Sequence, residues 1–363
     1  MRLQIFSFFA GAGFLDLGFE DSGYEVVFVN EVHKPFVDAY QYSRAKRNAK
    51  QPRYGFFVGS IEELLTKRRI AMLKGQMAES RSSGALVGFI GGPPCPDFSI
   101  AGKNRGHIGE NGKLSEIYID LIIKTKPDFF LFENVKGLYR TKQHRVFFDT
   151  LKRKLERRGY VLQEKLINSL EYGAPQDRQR IILIGMLNPK NRDFLKPSDW
   201  SRQAPYSKEE VDTYEWPDID MPQRTRRQPP DIAVELTVQH WFDKNDVSNH
   251  PNQKHAFTPR GGQERIAFVD EGDVSRKSYK RLHRWRYSPT TAYGNNEVHI
   301  HPYFPRRLSA AEALAIQSLP RDFELPDTMT LSEMFKAVGN GVPYLAARGI
   351  GKMLKKSLVR EFP

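Results

Sequence analysis

Residues 85–99 read Ala85-Leu86-Val87-Gly88-Phe89-Ile90-Gly91-Gly92-Pro93-Pro94-Cys95-Pro96-Asp97-Phe98-Ser99. The apolar run Ala85 to Ile90 has the pattern of a parallel strand buried on both faces. Two glycines and two prolines end it, because such a stretch neither continues a ladder nor starts a helix. The next residue, Cys95, is therefore presented on a stiff loop at a strand's carboxyl end, the edge where open α/β sheets bind ligands. Cys95 is the only cysteine in 363 residues. A lone cysteine usually serves as a small buried hydrophobe. Its rigid, polar loop here suits a presented nucleophile better.

Outward from this loop the chain alternates strands and helices. Leu3 to Phe9 reads as a first strand, and Ala10-Gly11-Ala12-Gly13-Phe14 as a tight turn into a helix with Leu15, Leu17 and Phe19 on its apolar face. A second strand, Glu25 to Asn30, ends at Glu31. The order of strand, glycine turn, helix, strand and acid, with the acid about 20 residues past the glycines, is that of a nucleotide-type pocket. Beyond Cys95 come a loop from Ser99 to Gly112, a helix Lys113 to Thr125 stopped by Pro127, and a strand Asp128 to Phe132 running into Glu133-Asn134-Val135. A helix Gln143 to Arg158 and strands Tyr160 to Leu166 and Ile181 to Leu187 follow, the last preceded by Gln176-Asp177-Arg178-Gln179-Arg180. The stretch Glu62 to Gly84 reads as a surface helix around Leu64 to Leu73 and a soft loop at Glu79-Ser80-Arg81-Ser82-Ser83-Gly84. Its Lys67, Arg68 and Arg69 are read as solvated charge.

The texture changes near Asn188. From Pro189 to about Pro305 the segments are short, proline-rich and basic, with turn pairs Pro229-Pro230 and Gly261-Gly262. Regular structure returns at Ser309, an N-cap candidate with Glu312 three residues on, opening a helix Ala310 to Gln317. The chain closes with Val338-Gly339-Asn340-Gly341-Val342-Pro343 and a helix to Leu354. The fold expected is α/β: a doubly wound Rossmann-like domain over 1–188, completed by 331–363, with a second, smaller irregular domain and hinge over 189–330.

Composition narrows the class. A net charge of +13 with 39% apolar residues suggests a soluble protein with a polyanionic partner. One cysteine excludes an intrachain disulfide framework, and no Cys/His spacing suggests a metal, so a reducing, cytoplasmic setting fits. The apolar start, Leu3 to Phe14, is too short to span a bilayer and reaches Asp16 and Glu20 at once.

The Pro94-Cys95 dipeptide, Glu133-Asn134-Val135 and Gln176-Asp177-Arg178-Gln179-Arg180, in this order, resemble the DNA (cytosine-5) methyltransferases of the bacterial restriction-modification type. The resemblance spans nearly the whole chain except 62–84 and the middle region. It implies S-adenosyl-L-methionine as methyl donor and double-stranded DNA as substrate, alongside a restriction endonuclease that reads the same site. The glycine turn agrees. Asp16 stands where a dinucleotide fingerprint needs its third glycine, and a donor without a pyrophosphate does not require one.

By the same resemblance Cys95 is the nucleophile, Glu133 the acid at ring nitrogen 3 with Asn134 in support, and Arg180 the cation at the base's carbonyl oxygen. Arg178 and Gln176 would support the loop and the flipped-out base. Phe9, Ala10, Gly11, Gly13, Phe14, Glu31, Val32, Ser60, Ile61, Pro93, Leu114, Asn340 and Val342 would line the donor pocket, and the last helix would return beside the first strand. Ser99, Lys103 and Arg105 on the loop after Cys95 are candidate phosphate contacts. Arg224, Arg226, Arg227, Arg260, Arg265, Arg281, Arg284 and Arg286 are candidate DNA contacts in the middle domain, the place of the family's target-recognition domain. The sequence departs from the family at several positions. Phe14 replaces a glycine, Val32 an aromatic, Ser60 an aspartate, Pro96 a glutamine and Asn111 a basic residue.

The chemistry explains the set. Carbon 5 of cytosine is a poor nucleophile until a thiolate adds at carbon 6, and a stacked base has to be rotated out of the duplex to be reached. Three other readings stay open on sequence. One is the same chemistry on transfer RNA, another a catalytically silent DNA-binding relative, and a third a cysteine hydrolase using His107.

Overall fold

The computed structural model describes residues 1–94, 110–139, 142–219, 227–258, 266–276, 278–291, 293 and 298–362. Its centre is a seven-stranded sheet of β1 (Arg2–Phe8), β2 (Glu25–Glu31), β3 (Phe56–Val58), β4 (Ala85–Gly91), β5 (Phe129–Val135), β6 (Tyr160–Asn168) and β7 (Gln179–Leu187). The spatial order is β3-β2-β1-β4-β5-β7-β6. The first five strands are parallel, while β7 runs antiparallel between β5 and β6. Leu3, Ile5, Phe6, Phe8, Val87, Phe89 and Ile90 are all buried, as expected of strands covered on both faces.

Each face has its own helices. On one, Phe6, Phe8, Phe89, Phe130 and Phe132 pack with residues of α3 (Lys67–Ser82), α4 (Glu110–Thr125) and α5 (Lys142–Glu156). The other face packs Leu3, Ile5, Phe129, Leu131 and Ile184 with α1 (Phe14–Glu20), Tyr40 of α2 (Lys34–Lys46) and the last helix. Strand β1 and β4 thus meet at the middle of a doubly wound sheet, the point where strand order reverses and a ligand crevice opens.

Segment 189–330 carries α6 (Val238–Lys244) and α7 (Ala310–Ile316), and beyond it lies α8 (Leu331–Asn340). Val238, Trp241, Phe242, Leu314, Phe323 and Phe335 share one core with Ala12, Phe14, Phe36 and Ala39, so this part of the chain packs directly on the first glycine turn and α2. The capping box expected at Ser309 is present: the Ser309 hydroxyl accepts the Glu312 N–H at 3.2 Å, and the Glu312 carboxylate accepts the Ser309 N–H at 2.8 Å.

Two expectations need correction. The run Glu79 to Ser82 is the last turn of α3 and not a loop, because Ser80 is buried and its hydroxyl meets the Tyr54 hydroxyl at 3.1 Å. The final helix, α9, spans Tyr344–Glu361, since Ile350, Met353, Leu354 and Leu358 keep a helical apolar spacing well past Leu354. It docks on α1 and the turn after it: the Tyr344 hydroxyl donates to Asp21 Oδ2 at 2.8 Å, Ser22 Oγ to the Arg348 carbonyl at 3.0 Å and the Tyr24 hydroxyl to the Gly351 carbonyl at 3.1 Å.

Candidate active site

A cleft of about 1440 Å³ opens at the carboxyl ends of β1, β2, β4 and β5. One end is built by the first glycine turn. Phe9, Gly11 and Gly13 all take positive φ (53°, 57° and 80°), which folds the backbone tightly back between β1 and α1. The Ala10 N–H reaches the Asn30 carbonyl at 3.1 Å, and the Gly11 N–H donates to Glu31 Oε2 at 2.8 Å. Glu31 Oε1 accepts the His33 N–H at 2.9 Å. Two backbone donors therefore fix this carboxylate in the cleft wall, each oxygen keeping a free lone pair for a diol. Val32 and Ile61 add apolar wall on the same side.

Two departures from the family pattern, Phe14 and Ser60, and the dinucleotide-fingerprint mismatch at Asp16 find physical explanations here. Phe14 is buried against Phe323, ring edge to face, and its ring occupies the space that a side chain on Gly341 would need. Ser60 lies on the cleft wall, but its hydroxyl accepts the Glu62 N–H at 3.2 Å and caps the short helical turn Ile61–Leu65. Asp16 is fully buried beneath the turn, where the Ser7 hydroxyl donates to it at 2.7 Å. Burial pushes its carboxyl up, against the pull of Arg44.

The other end of the cleft is made by β4, β5 and β7. Pairing β5 with β7 sets Glu133 opposite Ile182 and Val135 opposite Arg180. Glu133 and Arg180 thus become diagonal neighbours on one face of the sheet. Arg180 Nε lies 2.9 Å from Glu133 Oε1. Gly92 permits the approach: a Cβ there would sit 2.6 Å from Glu133 Oε2. Asn134, buried, donates through Nδ2 to the Pro93 carbonyl at 3.4 Å and accepts the Val135 N–H at 2.8 Å. It braces the loop that leads to Cys95.

Arg178 lies behind this pair, 2% exposed, donating to the Thr291 carbonyl at 3.3 Å and the Gly339 carbonyl at 3.0 Å. Burial, and next the charge of Arg180, hold its guanidinium well below the ordinary arginine range, while Glu133 opposes that shift. The cleft brings together Phe9, Ala10, Gly11, Phe14, Glu31, Val32, Ser60, Ile61, Pro93, Leu114, Glu133, Asn134, Arg178, Arg180, Asn340 and Val342.

Other expected site residues fall elsewhere. Gly13 shapes the turn and does not line the cleft. Gln176 is fully buried, pairing with Ser288 in a two-residue strand contact, so it cannot reach a base directly. Arg281 is a correction: its guanidinium donates to the carbonyls of Ile266 (2.6 Å), His301 (2.9 Å), Phe304 (3.1 Å) and Pro302 (3.3 Å), and is spent on holding the chain together. Arg284 is another, clasping the buried Glu271 through Nε at 2.9 Å and Nη2 at 2.7 Å. Arg286 donates to the Pro217 carbonyl at 3.2 Å, and Arg227 is exposed. Cys95, Ser99, Lys103, Arg105, Arg224, Arg226, Arg260 and Arg265 lie outside the described residues. The structure adds Lys280, Thr290 and Tyr293 to the wall, and Thr291 and Gln317 behind it. No local sequence pattern marks Thr291 or Gln317 for this place, since their partners come from distant parts of the chain.

A carboxylate held by backbone donors at one end of the cleft and an acid–arginine pair beside a proline-rich loop at the other give the cleft two chemically distinct ends, the layout of an enzyme site that takes two substrates. Comparison with known proteins sharpens this. The profile of the C-5 cytosine-specific DNA methylases matches residues 3–356. The chain is 60% identical over 361 residues to the Type II methyltransferase M.NmeDI of Neisseria meningitidis serogroup C, covering 99% of this chain and 85% of that protein. It is 29% identical to M.FnuDI, a Type II methyltransferase of Fusobacterium nucleatum, over 98% of this chain and 95% of that one. The chain belongs to the C-5 cytosine-specific DNA methylase family and is a DNA (cytosine-5) methyltransferase.

Among solved structures the fold matches a prophage-encoded E. coli protein assigned as a DNA modification methyltransferase, with a TM-score of 0.67 at 21% identity, over 99% and 100% of the two chains. It also matches the Dnmt2 methyltransferase of S. pombe, with a TM-score of 0.59 at 13% identity over 99% of each chain. Among the described residues no helix is long and apolar enough to cross a membrane, and no cluster of His, Cys, Asp and Glu could hold a metal ion.

Proposed function

We propose that this enzyme methylates one cytosine within a short duplex DNA sequence by covalent catalysis from Cys95, with S-adenosyl-L-methionine as donor. The observation that carries the reading is the Glu133–Arg180 pair, 2.9 Å apart, in the cleft that also holds Glu31. The donor side fits such a molecule: the Glu31 carboxylate suits a ribose diol, and Val32, Ile61 and the glycine turn suit a flat base and close backbone approach. When bound, the donor supplies an electrophilic methyl group on sulfur.

The protein's own groups do the rest. Cys95, as thiolate, forms a bond to carbon 6 of the extruded cytosine, and the ring electrons move toward carbon 5. Glu133 hydrogen-bonds at ring nitrogen 3 and offsets the negative charge that builds there, while Arg180 holds the carbonyl oxygen at carbon 2. Asn134 holds the Pro93 carbonyl and so steadies the backbone that leads to Cys95. Once carbon 5 carries the methyl group, loss of its proton returns an electron pair to the ring and expels the Cys95 thiolate.

Segment 189–330 is assigned to target recognition, with Lys280 and the exposed Arg227 as cations available to the DNA backbone. The Type II naming of the relative at 60% identity supports a role beside a restriction endonuclease of the same specificity. The test is bisulfite sequencing of unmethylated genomic DNA incubated with S-adenosylmethionine and either the enzyme or Cys95→Ala. Protected cytosines in one short motif, absent with the variant, support the reading. Turnover by Cys95→Ala removes Cys95 from the mechanism, and methyl incorporation into transfer RNA but not DNA overturns the substrate.

A further inference from the structure

Behind the cleft, four buried polar side chains form one closed network. Gln176, Thr291 and Gln317 are fully buried, and Arg178 nearly so. Thr291 is its hub. Its backbone N–H and its hydroxyl both donate to Gln176 Oε1 at 3.2 Å, and the hydroxyl accepts from Gln317 Nε2 at 3.1 Å. The Gln317 amide also donates to the Val338 carbonyl and, at 3.4 Å, to the Gly341 carbonyl, while its own oxygen accepts from Gln176 Nε2 at 3.3 Å. Arg178 closes the ring, donating to the carbonyls of Thr291 and Gly339. The orientation of both amides follows from the partners, since carbonyl oxygens surround Gln317 Nε2 and an N–H meets Gln176 Oε1.

The elements joined are the two substrate walls. Gln176 and Arg178 belong to the stretch that ends at Arg180, the cation on the base side. Val338 to Gly341 form the end of α8 and the turn beside Asn340 and Val342, on the donor side. The stretch 288–291 lies between them, tied to the first by the Gln176–Ser288 and Asp177–Pro289 pairing and by the Thr290 hydroxyl, which donates to the Asp177 carbonyl at 2.6 Å. No apolar contact could hold three backbone stretches in register this way, because each bond has a direction and each lost partner leaves a buried polar group unpaired.

We propose that Thr291 and Gln317 are positioning residues that set the base-side arginine stretch against the donor-side turn, so that occupancy of one substrate pocket strengthens binding in the other. Neither residue touches a substrate. The proposal rests on the assignment of the two ends of the cleft to donor and base, and any coupling between them is reciprocal.

The test uses the full chain, S-adenosylhomocysteine as the donor-side probe and unmethylated genomic DNA fragments as the base-side probe. Calorimetry gives the affinity for S-adenosylhomocysteine with and without saturating DNA, for wild type, Thr291→Val, Thr291→Ser and Gln317→Met. Valine keeps the volume and loses the hydroxyl, while serine keeps the hydroxyl. The wild type is expected to bind the probe at least about fivefold more tightly with DNA present, the lower range of ordinary coupling. Thr291→Val and Gln317→Met should bring that ratio close to one and lower the melting temperature, since each leaves buried polar groups without a partner, and Thr291→Ser should restore the ratio.

A ratio of one in wild type, an unchanged ratio in Thr291→Val, or equal loss in the serine variant overturns the proposal. Should the valine variant fail to melt cooperatively, the comparison of Gln317→Met with wild type decides by the same criterion. The readout is independent of turnover. A wild type that shows coupling yet transfers no methyl group to DNA refutes the catalytic reading and leaves the positioning pair standing.

Discussion

Glu133→Gln removes one charge and one proton source and changes almost nothing in shape. The two side chains of the pair are 11% and 13% exposed for Glu133 and Arg180, so the carboxylate is a partly desolvated counter-charge. At an effective dielectric near ~20, attraction at this range is on the order of 5 kcal/mol. Desolvation of both ions offsets much of that, and the glutamine oxygen still accepts from Arg180. The net cost to folding is then about 1–3 kcal/mol, a shift of several degrees in melting temperature. Catalysis loses more, because an amide neither supplies a proton at ring nitrogen 3 nor balances Arg178 and Arg180 beside the base. A positioned acid contributes roughly 10²- to 10⁴-fold, equivalent to about 3–5 kcal/mol in the barrier. The assay is incorporation of labelled methyl groups into DNA at saturating donor and DNA, with thermal melting as control. A kcat within about threefold of wild type would refute the assignment of Glu133 as the acid.

Further predictions concern single sites. Glu31→Ala should weaken S-adenosylhomocysteine binding by about tenfold or more, roughly the worth of a charged acceptor for a diol. Calorimetry checks this, and an unchanged affinity would move the donor pocket elsewhere. Arg281→Ala should cost about 3 kcal/mol or more in denaturant unfolding, because it leaves buried carbonyls of Ile266, His301, Pro302 and Phe304 without their donor. A stability within about 0.5 kcal/mol of wild type would return Arg281 to the list of DNA contacts. Burial raises the Glu312 carboxyl, but the Arg306 fork outweighs it and holds the group below its ordinary value of 4.5. His301 stays neutral beside it, pushed down to about 3 by burial. A lowered carboxyl gives stability that is present above pH 4.5 and lost as pH falls through the folded value. Glu312→Gln should therefore flatten the acid limb of a pH–stability curve, and an unchanged limb would show that the Arg306–Glu312 pair contributes nothing there.

What the sequence could convey, and what it could not, follows from the range of each interaction. The strands around 85–91 and 129–135 were legible because burial on both faces leaves a continuous apolar run, and the Ser309 box because capping acts across three residues. The glycine turn announced its position through Gly11 and Gly13, which take positive φ without steric cost. Glu133 and Arg180 could be named from a motif, but their ion pair depends on the antiparallel register of β5 with β7, which no local pattern encodes. The arginines of segment 189–330 mark the limit most clearly. Arg227, Arg281, Arg284 and Arg286 look alike in the sequence. Tertiary structure spends Arg281 on backbone carbonyls and Arg284 on Glu271, while Arg227 stays exposed.

Phe14 and Ser60, where this chain leaves the family pattern, and Asp16, where it leaves the dinucleotide fingerprint, share one physical theme. Phe14, in place of a glycine, fills space that Gly341 leaves empty. Asp16, where a third glycine would stand, points inward to Ser7 and Arg44. The Ser60 hydroxyl caps the turn that follows it. Each of these side chains serves the packing or capping of the donor-side wall, and none replaces the backbone groups that hold Glu31, namely the N–H of Gly11 and of His33. Recognition built on backbone donors tolerates side-chain change as long as the turn keeps its shape. That shape depends in turn on the core shared by Ala12, Phe14, Phe335 and Tyr344. Segment 189–330 contributes Trp241, Leu314 and Phe323 to the same core. The part of the chain assigned to reading DNA therefore braces the pocket assigned to the methyl donor, and a mutation that loosens Trp241 or Phe323 acts on both substrates at once.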